Sequence, residues 1–391
     1  MSMNKQHESA LFILKTLNKE NFEAYFVGGF VRDYLLKRKT NDIDITTNAT
    51  PTEIEALFDK TVLTGKTFGT ITVLIEGKPF EITTYRKETT YDNHRHPDSI
   101  TFAKTLEEDL SRRDFTINQL VMDSEGIIHD YHNGKQDLMD KVIRTIGQPA
   151  LRFQEDALRM LRAFRFSAQL NFSIERETLK AIEHNQQLIT KISVERVQDE
   201  LFKLLDAPAS QFALQTIVET GVHKTLNLQE GFEKLSKITG QYDHLLAFAL
   251  MDAVKGIKDT HFKFSNRFYR EFKTLSDLHK QTFKKGFETI NVFDYGKTLC
   301  LKANKLNILL GDIDRSDQIN HLHKSLILRK EKDLAITGKD LLNTFDISDK
   351  RNISKTLRQL LIDVLNGNTN NQKQALLHRA ENILKALKDS E

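Results

Sequence analysis

The chain has 391 residues, 39% hydrophobic and 28% charged, with a net charge of +3. That length exceeds one ordinary core and predicts two to four domains. No run approaches the ~18 apolar residues of a membrane span, and a single cysteine, Cys300, excludes an internal disulfide and a cysteine-rich zinc site. The N-terminal segment lacks the basic start, apolar stretch and cleavage site of a secretory leader, so a cytoplasmic location is expected.

The average charge hides an asymmetry. Residues 1–140 carry 17 Lys and Arg against 23 Asp and Glu, net −6, and the remainder is +9. An acidic front joined to a basic back suits a protein acting on a polyanion, although two solvated surfaces of opposite bias would read the same way.

In chain order, helical periodicity covers 5–20, and AYFVGG then reads as a strand ending at Gly28–Gly29. A short helix over 30–38 follows, and DIDITT reads as a strand. Residues i and i+2 of a strand share a face, so Asp42 and Asp44 point one way while Ile43 and Ile45 bury the other. A helix over 51–59 precedes two strand-like runs, GTITVLIEG and PFEITTYR. The pattern then predicts helices over 106–113 and 114–121, and a strand in EGIIHDY. Turn glycines at 65, 69, 77 and 126 separate several of these. From Ala150 onward helical periodicity dominates, with plausible joints at Pro149, Pro208 and Gly338.

Two hard-oxygen carboxylates downstream of a glycine turn suit Mg²⁺ carrying a triphosphate. Arg32, in the first turn of the helix after Gly28–Gly29, adds a cation where free N–H groups already favour phosphate. Glu81, facing the same side as Thr83 in PFEITTYR, is placed to complete a metal cluster or orient an attacking hydroxyl. Alone, the knot Arg112-Arg113-Asp114 reads as a helix-surface salt bridge; in a nucleotide site it would pair phosphate-matching guanidiniums with an acceptor for ribose hydroxyls. Gly65-Lys66-Thr67 fails as a Walker A loop, because position 60 is Lys. His129-Asp130 lacks an upstream histidine cluster and reads as structural.

The ordered set GGFVRD, DID, RRDFTIN and EDALRMLR, followed by SVERVQDELFKLL and ITGKDLLNTF, resembles the class II CCA-adding enzymes, tRNA nucleotidyltransferases of the polymerase β superfamily. The resemblance spans nearly the whole chain. It implies an α+β protein: a mixed α/β nucleotidyltransferase head (1–140), then an all-α neck for base recognition (141–207), body (208–315) and tRNA-binding tail (316–391). It implies addition of the 3′-terminal CCA to tRNA from CTP and ATP without a nucleic-acid template, with metals on Asp42 and Asp44. Nucleotide contacts carry over to Gly28, Gly29, Arg32, Arg113, Asp114, Glu155, Asp156, Arg159, Arg162 and Arg165. A poly(A) polymerase, or an enzyme adding only CC or only A, is the alternative. The tRNA acceptor arm is the expected partner, no membrane is involved, and a homodimer is left open.

Read as residues i and i+3 of one helix, Asp156 and Arg159 would share a face, with Glu155 orienting the pair. A carboxylate only accepts hydrogen bonds and a guanidinium only donates. Cytosine and adenine each offer an amino donor beside a ring-nitrogen acceptor, whereas uracil and guanine present the reverse. The segment between Glu81 and Arg112 resembles the family's flexible loop, expected with Thr145-Ile146-Gly147 to take part in switching from C to A. In 255–287, most phenylalanines are expected to be helix core and the lysines a solvated face.

Overall fold

The computed structural model describes residues 5–40, 42–65, 69–88, 91–92, 96–97, 100–238, 242–255, 262–347 and 349–388. The expected switching loop therefore falls partly outside the described residues, as do Lys66-Thr67 and residues 256–261. The chain forms two compact units, 1–244 with 257–263, and 245–256 with 264–391.

The first unit opens with α1 (Lys5–Lys19), which buries Ala10, Ile13, Leu14 and Leu17 at helical spacing. It leads into β1 (Ala24–Val27), α2 (Gly29–Leu35), β2 (Asp44–Thr47) and α3 (Pro51–Leu57). A Thr50–Glu53 capping box and Pro51 in the first turn start α3. Next come β3 (Thr61–Gly65), β4 (Thr70–Ile75) and β5 (Lys78–Thr84). With the short strands Val121–Met122 and Ile128–His129 they build a seven-stranded sheet. Its order is Ile128–His129, Val121–Met122, β1, β2, β5, β4, β3. Every pairing is antiparallel except β2 with β5, where Asp44 lies opposite Glu81. On the other side Val27 pairs with Asp44, so the Gly28 turn begins beside that carboxylate. Ile43 and Ile45 are buried, as the alternation predicts.

Three departures from the sequence expectations bear on the site. Residues 114–121 are not a helix: Phe115 is extended, Thr116–Asn118 make a single 3-10 turn, and Val121–Met122 pair with β1. Asp114 accepts from Phe115 N (2.8 Å) and Asn118 Nδ2 (3.1 Å), and such local side-chain bonds compete with helix formation. An unexpected helix, α5 (Gly134–Asp140), packs on that turn after α4 (Leu106–Ser111). A Cβ at Gly134 would meet Thr116 O at 2.3 Å, so only glycine permits this approach. Finally, EDALRMLR is not one helix. The helix α6 (Pro149–Glu155) stops, Asp156 turns to φ −141°, ψ 103°, and α7 (Leu158–Leu170) begins anew.

Helix α8 (Arg176–Asn185) packs on α6, and α9 (Val194–Leu205) packs on α7. The second unit is helical. Its core gathers Leu341, Leu360, Leu361, Val364 and Leu376, and the helix Thr289–Leu309 is interrupted at Gly296 (φ 74°). There Phe268 and Phe272 are buried and stacked while Lys273 stays exposed, so these phenylalanines are core. Among the described residues no helix is long and apolar enough to cross a membrane.

Candidate active site

Between the sheet and α7 lies a cleft of about 560 Å³. It is lined on one side by Gly28, Gly29, Asp42 and Asp44, and on the other by Asp156, Arg159, Arg162 and Arg165. Arg32, Arg113 and Asp114 also reach it. The sheet carboxylates and the α6–α7 junction thus face one space of a size that suits a nucleotide. Two expected residues do not line it. Glu81 stands beside Asp44 across the strand pair, and Glu155 stands behind Arg159.

Gly28 adopts φ +73°, a conformation that L side chains rarely adopt. An added Cβ there would stand 3.6 Å from an Arg113 Nη1 and 3.8 Å from an Asp44 Oδ2, so the turn sits between guanidinium and carboxylate. Asp42 lies just before β2, exposed. Although solvent reaches Asp44, the cleft crowds it. Burial raises its carboxyl above the ordinary value; Arg113 opposes this, and Glu81 and Asp42 add to it.

Crowded oxygen donors of one sign favour a bound cation. Among the described residues no three His, Cys, Asp or Glu side chains form a metal-holding group. The aspartate pair nevertheless fits Mg²⁺, which binds through one or two carboxylates and takes its other ligands from water and phosphate.

The Arg112-Arg113-Asp114 knot is organised by a residue that the sequence motifs do not single out. Asp109 is fully buried and accepts from Arg112 Nε (2.9 Å), Arg112 Nη2 (2.8 Å) and Arg113 Nη2 (3.2 Å). Its spacing of three and four residues from those arginines in EEDLSRRD was the available signal. Arg113 Nε is buried without a partner, an orphaned donor in an anion-sized cleft.

Asp114 holds the wall together. It accepts from Arg162 Nε at 2.8 Å. Burial alone would raise its pKa, but Arg162, Asn118 and the Phe115 N–H bring it to about 2. Arg32 is buried too, bonded to both oxygens of Asp33 (2.9 and 3.0 Å) and to Asn118 Oδ1 (2.7 Å). Three of a guanidinium's five donors are then used.

The pairing at the α6–α7 junction differs from expectation. Asp156 and Arg159 do not share a helix face, because Asp156 Oδ1 accepts from Leu158 N (3.0 Å) where the chain turns. Its Oδ2 accepts from Arg196 Nη2 (2.8 Å) on α9. Arg159 Nη1 donates to Glu155 (2.7 Å), and its Nη2 to Arg112 O (2.9 Å). Glu155 therefore positions Arg159, while Arg196 holds Asp156. One turn further along α9, Glu200 accepts from Arg165 at 2.5 Å. Arg196 and Glu200, i and i+4 in SVERVQDELFKLL, lie in a stretch that carries the family resemblance, but nothing in it marks them as site residues; their partners lie 40 and 35 residues away. Arg196 lines the cleft, and its Nη1 is buried without a partner.

Residues 24–144 match the family model of the poly A polymerase head domain, and residues 251–380 that of tRNA nucleotidyltransferase domain 2. The CCA-adding enzyme of Bacillus licheniformis is 38% identical over 386 residues, covering 94% of this chain and 96% of its own. That of Bacillus subtilis is 38% identical over 389 residues, covering 95% and 97%. The crystal structure of the Bacillus stearothermophilus CCA-adding enzyme in complex with CTP matches with a TM-score of 0.88 at 29% identity, covering all of both chains. A Thermotoga maritima CCA-adding enzyme complexed with tRNA shares the fold, with a TM-score of 0.68, 21% identity and coverage of 98% and 96%. The relatives matched along the full length are CCA-adding enzymes, so the poly(A) polymerase alternative is not favoured. With its sheet-borne aspartates, arginine-lined cleft and helical remainder, the chain belongs to the CCA-adding enzymes, the tRNA nucleotidyltransferases that complete the 3′ end of tRNA.

Proposed function

We propose that CTP and ATP bind in turn in this one cleft, with triphosphate toward the sheet and base toward the α6–α7 junction, and that the tRNA 3′-hydroxyl attacks the α-phosphate in line. The observation that carries this is the shared cleft: Asp42 and Asp44 line it together with Asp156 and Arg159. Asp42 and Asp44 would hold Mg²⁺. When bound there, divalent ions supply Lewis-acid chemistry, easing hydroxyl deprotonation and neutralising charge on the triphosphate.

The chain's own residues do the rest. The turn at Gly28–Gly29, Arg32 and Arg113 hold the phosphates, Asp114 fixes the arginine wall, and Glu81 keeps negative charge beside Asp44. Asp156 accepts from the amino group of cytosine or adenine, and Arg159 donates to the adjacent ring nitrogen. Uracil or guanine would set carbonyl against carboxylate, leaving buried groups unsatisfied at about 1–3 kcal/mol each. Arg162 and Arg165 add positive charge along the same wall.

The division into head, neck, body and tail at residues 140, 207 and 315 belongs to this reading. So do Mg²⁺ as the working ion, a cytoplasmic location, a homodimer testable by sedimentation, and the 81–112 segment with Gly147 as the parts that move between C and A addition. The test is to incubate the protein with tRNA lacking CCA, offering each nucleotide separately and together. CMP incorporation twice, then AMP, with metal, supports the reading. A poly(A) tail, or no turnover with Mg²⁺, contradicts it.

A further inference from the structure

Three arginines of the cleft converge on one aromatic ring. The guanidinium carbon of Arg165 lies 4.0 Å from the centroid of Phe166, that of Arg32 at 5.2 Å and that of Arg162 at 5.3 Å. Arg162 and Arg165 come from α7, four and one residues before Phe166, whereas Arg32 comes from α2 in the sheet layer. All four residues line the cleft. The ring is 5% exposed and is fixed edge-on by Phe115, 5.7 Å away at 83°.

Carboxylates pair with these cations unevenly. Asp33 serves Arg32, Asp114 serves Arg162, and Glu200 serves Arg165 at 2.5 Å and Arg162 at 3.7 Å. Phe166 is what all three share. Like-charged guanidiniums at this spacing repel, and the negative face of a phenyl ring offsets that repulsion without neutralising the charges, as a carboxylate would.

We propose that Phe166 is a positioning residue, whose ring holds Arg32, Arg162 and Arg165 as one cationic wall for the anionic nucleotide. This rests on the reading of the cleft as the nucleotide site. The wall meets the nucleotide in ground and transition states alike, so disturbing it raises KM more than it lowers kcat.

The test keeps ring volume and changes only the charge on its face. Mono-, di- and trifluorophenylalanine are installed at position 166 of the full chain, and KM and kcat for CTP are measured on tRNA lacking CCA, alongside thermal midpoints. KM is expected to climb stepwise with fluorine number, reaching about tenfold, while kcat and the midpoint hold. Phe166→Leu should raise KM comparably. A KM that does not change across the fluorine series in an active enzyme overturns the role of Phe166 and leaves the nucleotide site standing. Wild-type protein that adds neither CMP nor AMP overturns both.

Discussion

The two sides of the cleft handle charge in opposite ways. On the sheet side, neither Asp42 nor Asp44 makes a side-chain hydrogen bond or ion pair to another described residue, and Asp44 is raised by burial and crowding. On the helical side charges are matched internally: Asp156 with Arg196, Arg162 with Asp114, Arg165 with Glu200. In the proposed function, the sheet side receives a cation from outside. The helical side is built to hold its shape before any ligand arrives, since matched buried charges resist movement.

The contrast makes its strongest prediction at the sheet. Asp44→Asn should lower addition of both C and A by about 10³-fold or more. Because it removes a crowded charge, the thermal midpoint should hold or rise. A stopped enzyme with a markedly lower midpoint would mean that Asp44 is structural.

The helical side should behave in reverse. Glu200→Ala leaves Arg165 buried without its partner, and breaking such a pair costs about 3–5 kcal/mol. The urea midpoint should therefore drop well before activity per folded molecule does. An unchanged midpoint would show that the wall is not held by this pair.

Arg196→Ala frees Asp156 without touching the sheet. CTP-over-UTP selectivity should fall about tenfold while metal-dependent turnover persists, as expected from losing one half-buried, charge-assisted bond. Selectivity that stays put would assign Arg196 to packing.

A separate effect is in acid. The Asp114 carboxyl is depressed to about 2 in the folded chain, against ~4 in an unfolded one. Its contribution is complete above ~4 and lost as pH falls through about 2, roughly 2.5 kcal/mol in all. Asp114→Asn should flatten the stability profile across that window, read by urea melts at stepped pH. A parallel displacement of the whole profile would point elsewhere.

The same contrast separates the features that are legible in the amino-acid sequence from those that are not. The sheet side is local: Gly28, Asp42 and Asp44 lie within 17 residues, and alternation alone puts Ile43 and Ile45 inside. Alternation puts Glu81 and Thr83 on one face of their strand, but only the observed register brings Glu81 beside Asp44. The helical side depends on partners far apart in sequence. Arg162 meets Asp114 across 48 positions and Arg196 meets Asp156 across 40, distances over which spacing carries no information. Helical periodicity also runs straight through Asp156, because a break made by one side chain bonding to Leu158 N leaves the apolar pattern intact on both sides. The helix expected over 114–121 fails similarly, its apolar residues serving a strand.

The central claim is that one bound nucleotide touches the aspartate pair and the edge formed at the α6–α7 junction. The most direct measurement is the ratio of CMP to UMP incorporation on tRNA lacking CCA, with Mg²⁺, by wild type and by Asp156→Ala. The variant should still turn over with metal but lose most of its preference for CTP over UTP. A variant that keeps the wild-type ratio would contradict it.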